Sequence, residues 1–390
     1  MTRILTRLLG RLPIGWLQLT HSRGRLIAAL AGVAFANVLV FVQLAIMGSM
    51  SIATGRPYDF FESGLMISAA DADSMTDGSN VARQWLFQAL AHPQVTAGAP
   101  LFVGNVTLQH AGTTMSLTTF GVDPTQPAFL SPALRPGAEL LTLPESGIID
   151  RLTRGLDPQD AAAIGPSSPA TLEVRGRTLT VYGSFEGGGG FGVDGFLVVS
   201  DQTFLKIVQN RQTGAPDHIL LALAPGADAD QVAQDLRGMI SDRTLRIRSY
   251  AQARAEDIAY QQTRRPTGII FGFGVIIGVL VGLVIVYQVL STDVADHIHE
   301  YATFKAIGYR QRFLLGIVLE EALILAILGA GPGYLIARTL IAGMRKATNL
   351  PLELSTSTAV AVVVGTAIAC ALSGALATRR LALADPADLF

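Results

Sequence analysis

Two stretches with no charged residue dictate what this chain can fold into. Leu26–Met47 gives 22 such residues and Gly268–Leu290 gives 23. Either makes a helix of about 33 Å, enough to cross the hydrocarbon of a bilayer. Two further apolar runs, about Leu314–Ile341 and Thr358–Thr378, complete a set of four expected spans. A secretory leader is the competing reading of the first run. Its apolar region would be only about 7–15 residues long, so the run is read as an uncleaved span. Charge sits elsewhere: only 15% of all residues are charged, yet residues 51–266 hold 16 of the 29 Lys+Arg and 22 of the 30 Asp+Glu. The expected architecture is therefore a membrane protein of four transmembrane α-helices, with a large α+β extracytoplasmic domain between the first and second spans.

The expected segments follow in order. Residues 1–25 are a basic tail with an interfacial helix around Ile14, Trp16, Leu17 and Leu19, followed by span 1 (26–50) and the insert (51–266). Span 2 (267–290) leads into a polar loop (291–312). Span 3 (313–341), a short connector (342–357), span 4 (358–378) and a tail (379–390) complete the chain. Asn37 and Gln43 lie inside span 1, where they would hydrogen-bond a neighbouring helix or touch a substrate. In span 2, Gly274, Gly278 and Gly282 recur every four residues, the spacing that lets helices approach closely. They are expected at a helix–helix interface, possibly one between two copies. Pro332 predicts a kink in span 3. Glu320 and Glu321 are expected near the start of that span, where they can reach water.

The loop between spans 2 and 3 is short and polar. Asp293, Asp296, His297 and Glu300 recur at i, i+3, i+4 and i+7, so a helix would place them on one face. Val294, Ile298, Tyr301 and Ala302 form an apolar stripe beside them. Gly308 suits the position after a helix end, with Lys305 in the last turn to complement the dipole. Two readings fit. The loop is either a solvated connector or a short amphipathic helix that transmits force between spans.

The insert alternates strand and helix signals. Expected strands are Leu65–Ser68, Gly195–Val199, His218–Leu223 and Leu245–Arg248, with hairpins Val103–Leu108/Met115–Phe120 and Thr171–Val174/Thr178–Tyr182. Helices are expected at Asn80–Ala91, from Asp201 as cap to Gln209, and at Ala229–Ile240. The Pro-rich middle, Gly121–Ser168, is less regular and reads as a smaller subdomain with loops, so the insert is expected to have two subdomains. Gly190, Gly192 and Gly195 satisfy G-x-G-x-x-G, but a strand follows them where a dinucleotide fingerprint needs a helix. Asn105-Val106-Thr107 fits a glycosylation acceptor. None of the three lysines, Lys206, Lys305 and Lys346, follows a glycine, so no phosphate-binding P-loop is present. No zinc pattern and no G-x-S-x-G occur, and the single Cys370 permits no intramolecular disulfide. A net charge of −1 gives no argument for nucleic acid.

Four spans put both termini on one side. The two tails and the 291–312 loop carry ten basic residues, whereas the connector has Arg345 and Lys346. By the positive-inside rule the tails and loop face the cytoplasm and the insert faces outward.

The run VIVYQVLSTDVADHIHEYATFKAIGYRQRFLLGIVLEEALILAILG resembles the cytoplasmic loop and flanking helices of the MacB/FtsX group of ABC-transporter permeases, and more closely its DevC type. PIGWLQLTHSRGRLIAALAGVAFANVLVFVQLA and LALADPADLF resemble the same type. In the insert only VDPTQPAFL and GSFEGGGGFGVDGFLVVSD do so. The resemblance implies a homodimeric permease subunit without catalytic residues, cofactor or metal of its own. ATP and magnesium would sit on a separate cytoplasmic ABC ATPase. That partner would be engaged through Asp296, Ile298, Glu300, Tyr301, Lys305, Gly308 and Tyr309. A periplasmic membrane-fusion protein and an outer-membrane channel would be further partners, and the location would be the bacterial inner membrane. Export of a glycolipid, drug or similar amphiphile is the implied function. The alternative is an FtsX-like signalling subunit that activates an extracytoplasmic hydrolase and moves no cargo. A membrane-anchored enzyme is a third reading, without a catalytic constellation in the insert.

Overall fold

The computed structural model describes residues 12–110 and 112–383. Arg3, Arg7, Arg11 and most of the LALADPADLF stretch thus lie outside the described residues. The chain divides into two compact units. One comprises residues 1–48, 269–344 and 352–390, the other 49–268 and 345–351. Among the described residues, four helices are long and apolar enough to cross a membrane, and a mixed sheet lies between the first and second of them in the sequence.

The described chain opens with α1 (Ile14–His21) and α2 (Arg23–Gly55). The sheet unit then runs β1 (Leu65–Ala69), α3 (Gln84–Ala89), β2 (Val95–His110), β3 (Thr113–Val122), β4 (Ser146–Asp150), α4 (Pro158–Ala163), β5 (Ala170–Val174), β6 (Arg177–Phe185), β7 (Gly195–Ser200), α5 (Asp201–Ile207), β8 (His218–Leu223), α6 (Ala229–Met239), β9 (Leu245–Ser249) and α7 (Tyr250–Thr263). Strand order is β3-β7-β4-β6-β5-β2-β8-β1-β9, and β3 also pairs with β2. The pairings from β2 through β3, β7, β4, β6 and β5 therefore return to β2 as a closed ring. The long β2 joins that ring to an open sheet: Val95–Leu101 pairs with β8, and Phe102–His110 with β3. Closure leaves the ring strands no free edge.

Phe60 meets Phe61, Phe120, Phe185 and Phe196 edge-on, at centroid distances of 5.0–6.5 Å. A second core packs β1, β8 and β9 against α3 and α6 through Leu65, Ile67, Leu86, Ile219, Val232 and Leu236. Turn chemistry sets the β5–β6 hairpin. Arg175 and Gly176 have φ of 51° and 75°, the left-handed pair that a tight two-residue hairpin needs.

Several sequence expectations need correction here. The less regular 121–168 stretch contains a strand that was not expected, because β4 lies inside the ring, parallel to β6 and antiparallel to β7. Ser-Gly-Ile-Ile-Asp is buried at every position, so it carries no alternation to read. Helix α5 is capped by the Ser200 hydroxyl, which accepts from Thr203 N at 3.2 Å, rather than by Asp201. Helix α7 went unread because YAQARAEDIAYQQT has no apolar period. The glycine-rich loop is tied to the end of β4, where the Asp150 carboxylate accepts from Gly187 N and Gly188 N at 2.9 and 2.7 Å.

A buried carboxyl ties the loop after β1 to α7. Asp257 accepts from the Tyr58 hydroxyl at 2.6 Å and from Met75 N at 2.7 Å. Burial pushes it up to about 6, against the pull of those donors and of Arg248. The folded value lies above the unfolded 3.8. Its contribution to stability is therefore full below the unfolded value and is lost as pH rises through about 6. Holding it ionised at pH 7 costs about 3 kcal/mol. Asp257→Asn is therefore expected to gain stability relative to wild type between pH 4 and pH 7. Hydrogen exchange on the full chain measures this, and a pH-independent difference would refute it.

The helical unit completes with α8 (Pro266–Asp296), α9 (Ile298–Ala306), α10 (Gln311–Thr348) and α11 (Thr356–Leu383). The span helices are longer than the apolar runs alone suggested. In particular, residues 291–296 continue α8 and do not belong to a separate loop helix. Helix α10 runs unbroken through Pro332. Small residues set the packing of α2. An added Cβ at Gly278 would come 3.1 Å from Val40 Cγ2, and one at Gly282 3.0 Å from Ala36 Cβ. On α10, a Cβ at Gly333 would meet Asn37 Cβ at 2.9 Å and the Ala34 carbonyl at 3.0 Å. Asn37 also accepts from the Thr366 hydroxyl of α11 at 2.6 Å.

Candidate functional site

The candidate site is the α8–α9–α10 turn and the helix α1 behind it. Helix α8 stops at His297, whose backbone sits at φ −100°, ψ 18°. Its ring Nδ1 lies 2.9 Å from the Asp293 carbonyl, which gives one of the helix's last carbonyls a partner. Helix α9 ends in a paired turn. Gly308 N donates to Lys305 O and Tyr309 N to Phe304 O, both at 3.0 Å. Gly308 has φ +101°, the left-handed conformation this motif places after a helix. The ring of Tyr309 meets Phe304 at 5.7 Å and stacks on Phe313 at 4.5 Å.

Of the acids on this face, Asp296 and Glu300 are exposed and Asp293 is not. Asp293 is 2% exposed, and Arg25 reaches its Oδ1 at 3.5 Å and Asp296 Oδ2 at 2.6 Å. Gln18 of α1 donates to Glu300 Oε2 at 3.1 Å and accepts from the Tyr301 hydroxyl at 3.3 Å. Tyr301 is wholly buried with Val294, Leu314, Ile317 and Val318. Burial holds its phenol above the ordinary value, so it is a neutral donor. Glu320 and Glu321 do not reach water as expected, for both are buried. Gly15 makes that burial possible, because a Cβ there would lie 2.8 Å from Glu321 Cγ.

The residues read from the sequence thus divide. Asp296, Glu300 and Tyr301 are brought together, but around Gln18 and Arg25 of the same chain. Ile298 and Lys305 are half-buried, and Gly308 and Tyr309 lie at the exposed turn. Ile307, which the sequence reading passed over, is the most exposed large apolar side chain among the described residues at 70%, with Tyr309 at 46%. A helix end followed by a positive-φ glycine was the signal that could have found it. Gly274, Gly278 and Gly282 face α2 of the same chain: a Cβ on Gly274 would meet the Gln43 side chain. Among the described residues, no group of three or more His, Cys, Asp or Glu side chains is arranged to hold a metal ion.

Among curated proteins none matches the sequence. Solved structures similar over about half of the chain include the following three. The periplasmic region of MacB from Actinobacillus actinomycetemcomitans is 9% identical, with a TM-score of 0.36 over 50% of this chain and 93% of that one. The extracellular domain of the noncanonic ABC-type transporter YknZ from Gram-positive bacteria is 12% identical, at 0.32 over 48% and 98%. A domain of a putative permease protein from Porphyromonas gingivalis is 14% identical, at 0.30 over 49% and 88%. Residues 272–386 match the family described as FtsX-like permease C-terminal. That stretch contains α9, its exposed turn, α10 and most of α8, so this part of the membrane chain is similar to the C-terminal part of FtsX-like permeases, in keeping with the MacB/FtsX resemblance read from its sequence.

Proposed function

We propose that the chain is the permease subunit of an ABC exporter, of the DevC type within the MacB/FtsX group. It acts as a homodimer in the bacterial inner membrane with its termini in the cytoplasm. A separate ATPase binds ATP and magnesium and meets the turn Ile307–Arg310. The sheet domain faces the periplasm and docks a membrane-fusion protein leading to an outer-membrane channel. The cargo is a glycolipid, drug or similar amphiphile. One observation carries this reading: an exposed apolar tip, Ile307 and Tyr309, stands on a turn braced by Phe304 and Phe313. An isolated exposed apolar side chain needs no explanation, but one on a rigid turn at the ends of two spans can seat in a groove and pass displacement to both.

Ile307→Asp tests the reading. The side chain is exposed, so insertion and abundance should stay within about 0.5 kcal/mol of wild-type stability. A buried charge at the ATPase contact should cost at least about 2 kcal/mol of binding, roughly thirtyfold. Reconstituted with its ATPase, the variant should lose most stimulated hydrolysis and all export. Unchanged stimulation would make the turn a plain connector. Stimulation lost together with activation of a cell-wall hydrolase, with no cargo moved by wild type, would favour the FtsX-like signalling reading.

A further inference from the structure

The glycine-rich loop after β6 lies against the upper end of α2. Helix α2 carries no charged residue after Met47, and the next charge in the chain is Arg56. Ala53 stands six residues beyond Met47, about 9 Å further along the helix. About 30 Å of bilayer hydrocarbon is flanked by a headgroup layer of roughly 5–8 Å on each side. With the usual tilt of a span, Ala53 is therefore at the outer edge of that layer. A Cβ added to Gly190 would meet Ala53 Cβ at 3.4 Å, so the loop is at the same height. Its start is placed there as well. Asp150, which accepts from Gly187 N and Gly188 N, has Arg56 near enough to favour its ionised form.

The loop is held at both ends and displays apolar side chains between them. Asp150 ties its start, and Arg154 ties its end. Arg154 Nη2 donates to the carbonyls of Gly190 and Val193 at 2.8 and 2.7 Å, and its Nε lies 3.1 Å from Asp194 Oδ1. Phe191, inside that clamp, is 43% exposed. Leu152, 49% exposed, stands beside the loop, where a Cβ on Gly188 would come 3.8 Å from its Cδ1. Ile52, next to Ala53 on α2, is 38% exposed. Single exposed apolar side chains are ordinary on a surface bathed in water. Here they adjoin the end of a span, at the depth where aromatic residues settle among headgroups. Continuity with α2 names the occupant, because the surface around a span at this height is lipid.

We propose that Phe191, with Leu152 beside it, inserts into the headgroup layer of the leaflet that Met47 reaches. The sheet unit then grips the lipid surface through its glycine-rich loop as well as through the helices that join it to the spans. The contact needs neither an ATPase nor a cargo, so its test uses the full chain in lipid without them.

Phe191→Cys and Leu152→Cys are made singly in a Cys370→Ala background, which removes the one native thiol. Each is labelled with bimane and reconstituted into phosphatidylethanolamine–phosphatidylglycerol liposomes, with gel filtration checking the fold beforehand. Iodide reports water, and a lipid carrying a nitroxide on its headgroup reports the interface. Both labels should be quenched by iodide at least about threefold less than free bimane-labelled cysteine, and should lose about half their emission to the nitroxide lipid. Adding Phe191→Asp to the Leu152→Cys variant should return that label to iodide and remove the nitroxide effect, since a carboxylate does not enter the interface as a ring does. Full iodide quenching at 191 without nitroxide quenching would overturn the proposal. So would protection from both quenchers, which would mean that a second copy or another protein covers the loop. Unchanged lipid contact at 152 in the Phe191→Asp variant would also overturn it, because Phe191 would then not be the anchor.

Discussion

Tyr301→Ala is expected to release α9 from the membrane unit while leaving the four spans in place. Tyr301 is the largest fully buried side chain among the described residues. It fills the space between Val294 of α8 and Leu314, Ile317 and Val318 of α10. Removing a buried aromatic ring costs about 3–5 kcal/mol, because the cavity left behind collapses only in part. The hydroxyl also leaves Gln18 without its donor. A nine-residue helix cannot persist alone in water, so the whole loss falls on α9 and its turn. Hydrogen exchange across 297–310 should rise to near-unprotected rates, and a protease should cut there first. Under the proposed function, coupling to the ATPase should fail as well. Tyr301→Phe keeps the ring and should cost only about 0.5–1.5 kcal/mol. Wild-type protection in the alanine variant would mean that packing on α8 and α10 does not hold α9.

The second large effect is expected at Gly333. A side chain there would press on the Ala34 backbone and on Asn37 Cβ, and neither contact can rotate away. Overpacking of this kind costs about 1–3 kcal/mol or more, and it also threatens the Asn37–Thr366 hydrogen bond. Gly333→Leu should sharply lower the yield of folded protein in fluorescence-detected gel filtration. Gly278→Leu should be milder, since a Cβ first meets the movable Val40 side chain. Both act inside one copy, so the loss should appear in the total folded peak rather than as a shift from dimer to monomer. A normal yield with lost dimer would instead place these glycines between copies.

Much of this was legible in the sequence because it depends on local rules. The spans followed from the length of their apolar runs, the β5–β6 hairpin from Arg-Gly-Arg, and the end of α9 from Gly308. Three things were not legible. Strand β4 has no alternation, since both faces are buried. The burial of Glu321 depends on Gly15, some three hundred positions away, and nothing near Glu321 signals it. The acid stripe was seen, but its partners Gln18 and Arg25 lie in a segment read as an interfacial tail. Periodicity says that a face exists and is silent on what covers it.

The strand order has a kinetic consequence. Strand β1 is made early, yet it pairs only with β8 and β9, and the first half of β2 also waits for β8. Roughly 180 residues separate Ala69 from the end of β9. At about 5–20 residues per second of synthesis, the apolar β1 stays unpaired for about 10–40 s. Such non-local closure also makes folding intrinsically slow. The buried strand Leu-Met-Ile-Ser-Ala is thus an aggregation hazard during biogenesis, and the nascent sheet unit is a natural client for a chaperone that shields extended apolar segments.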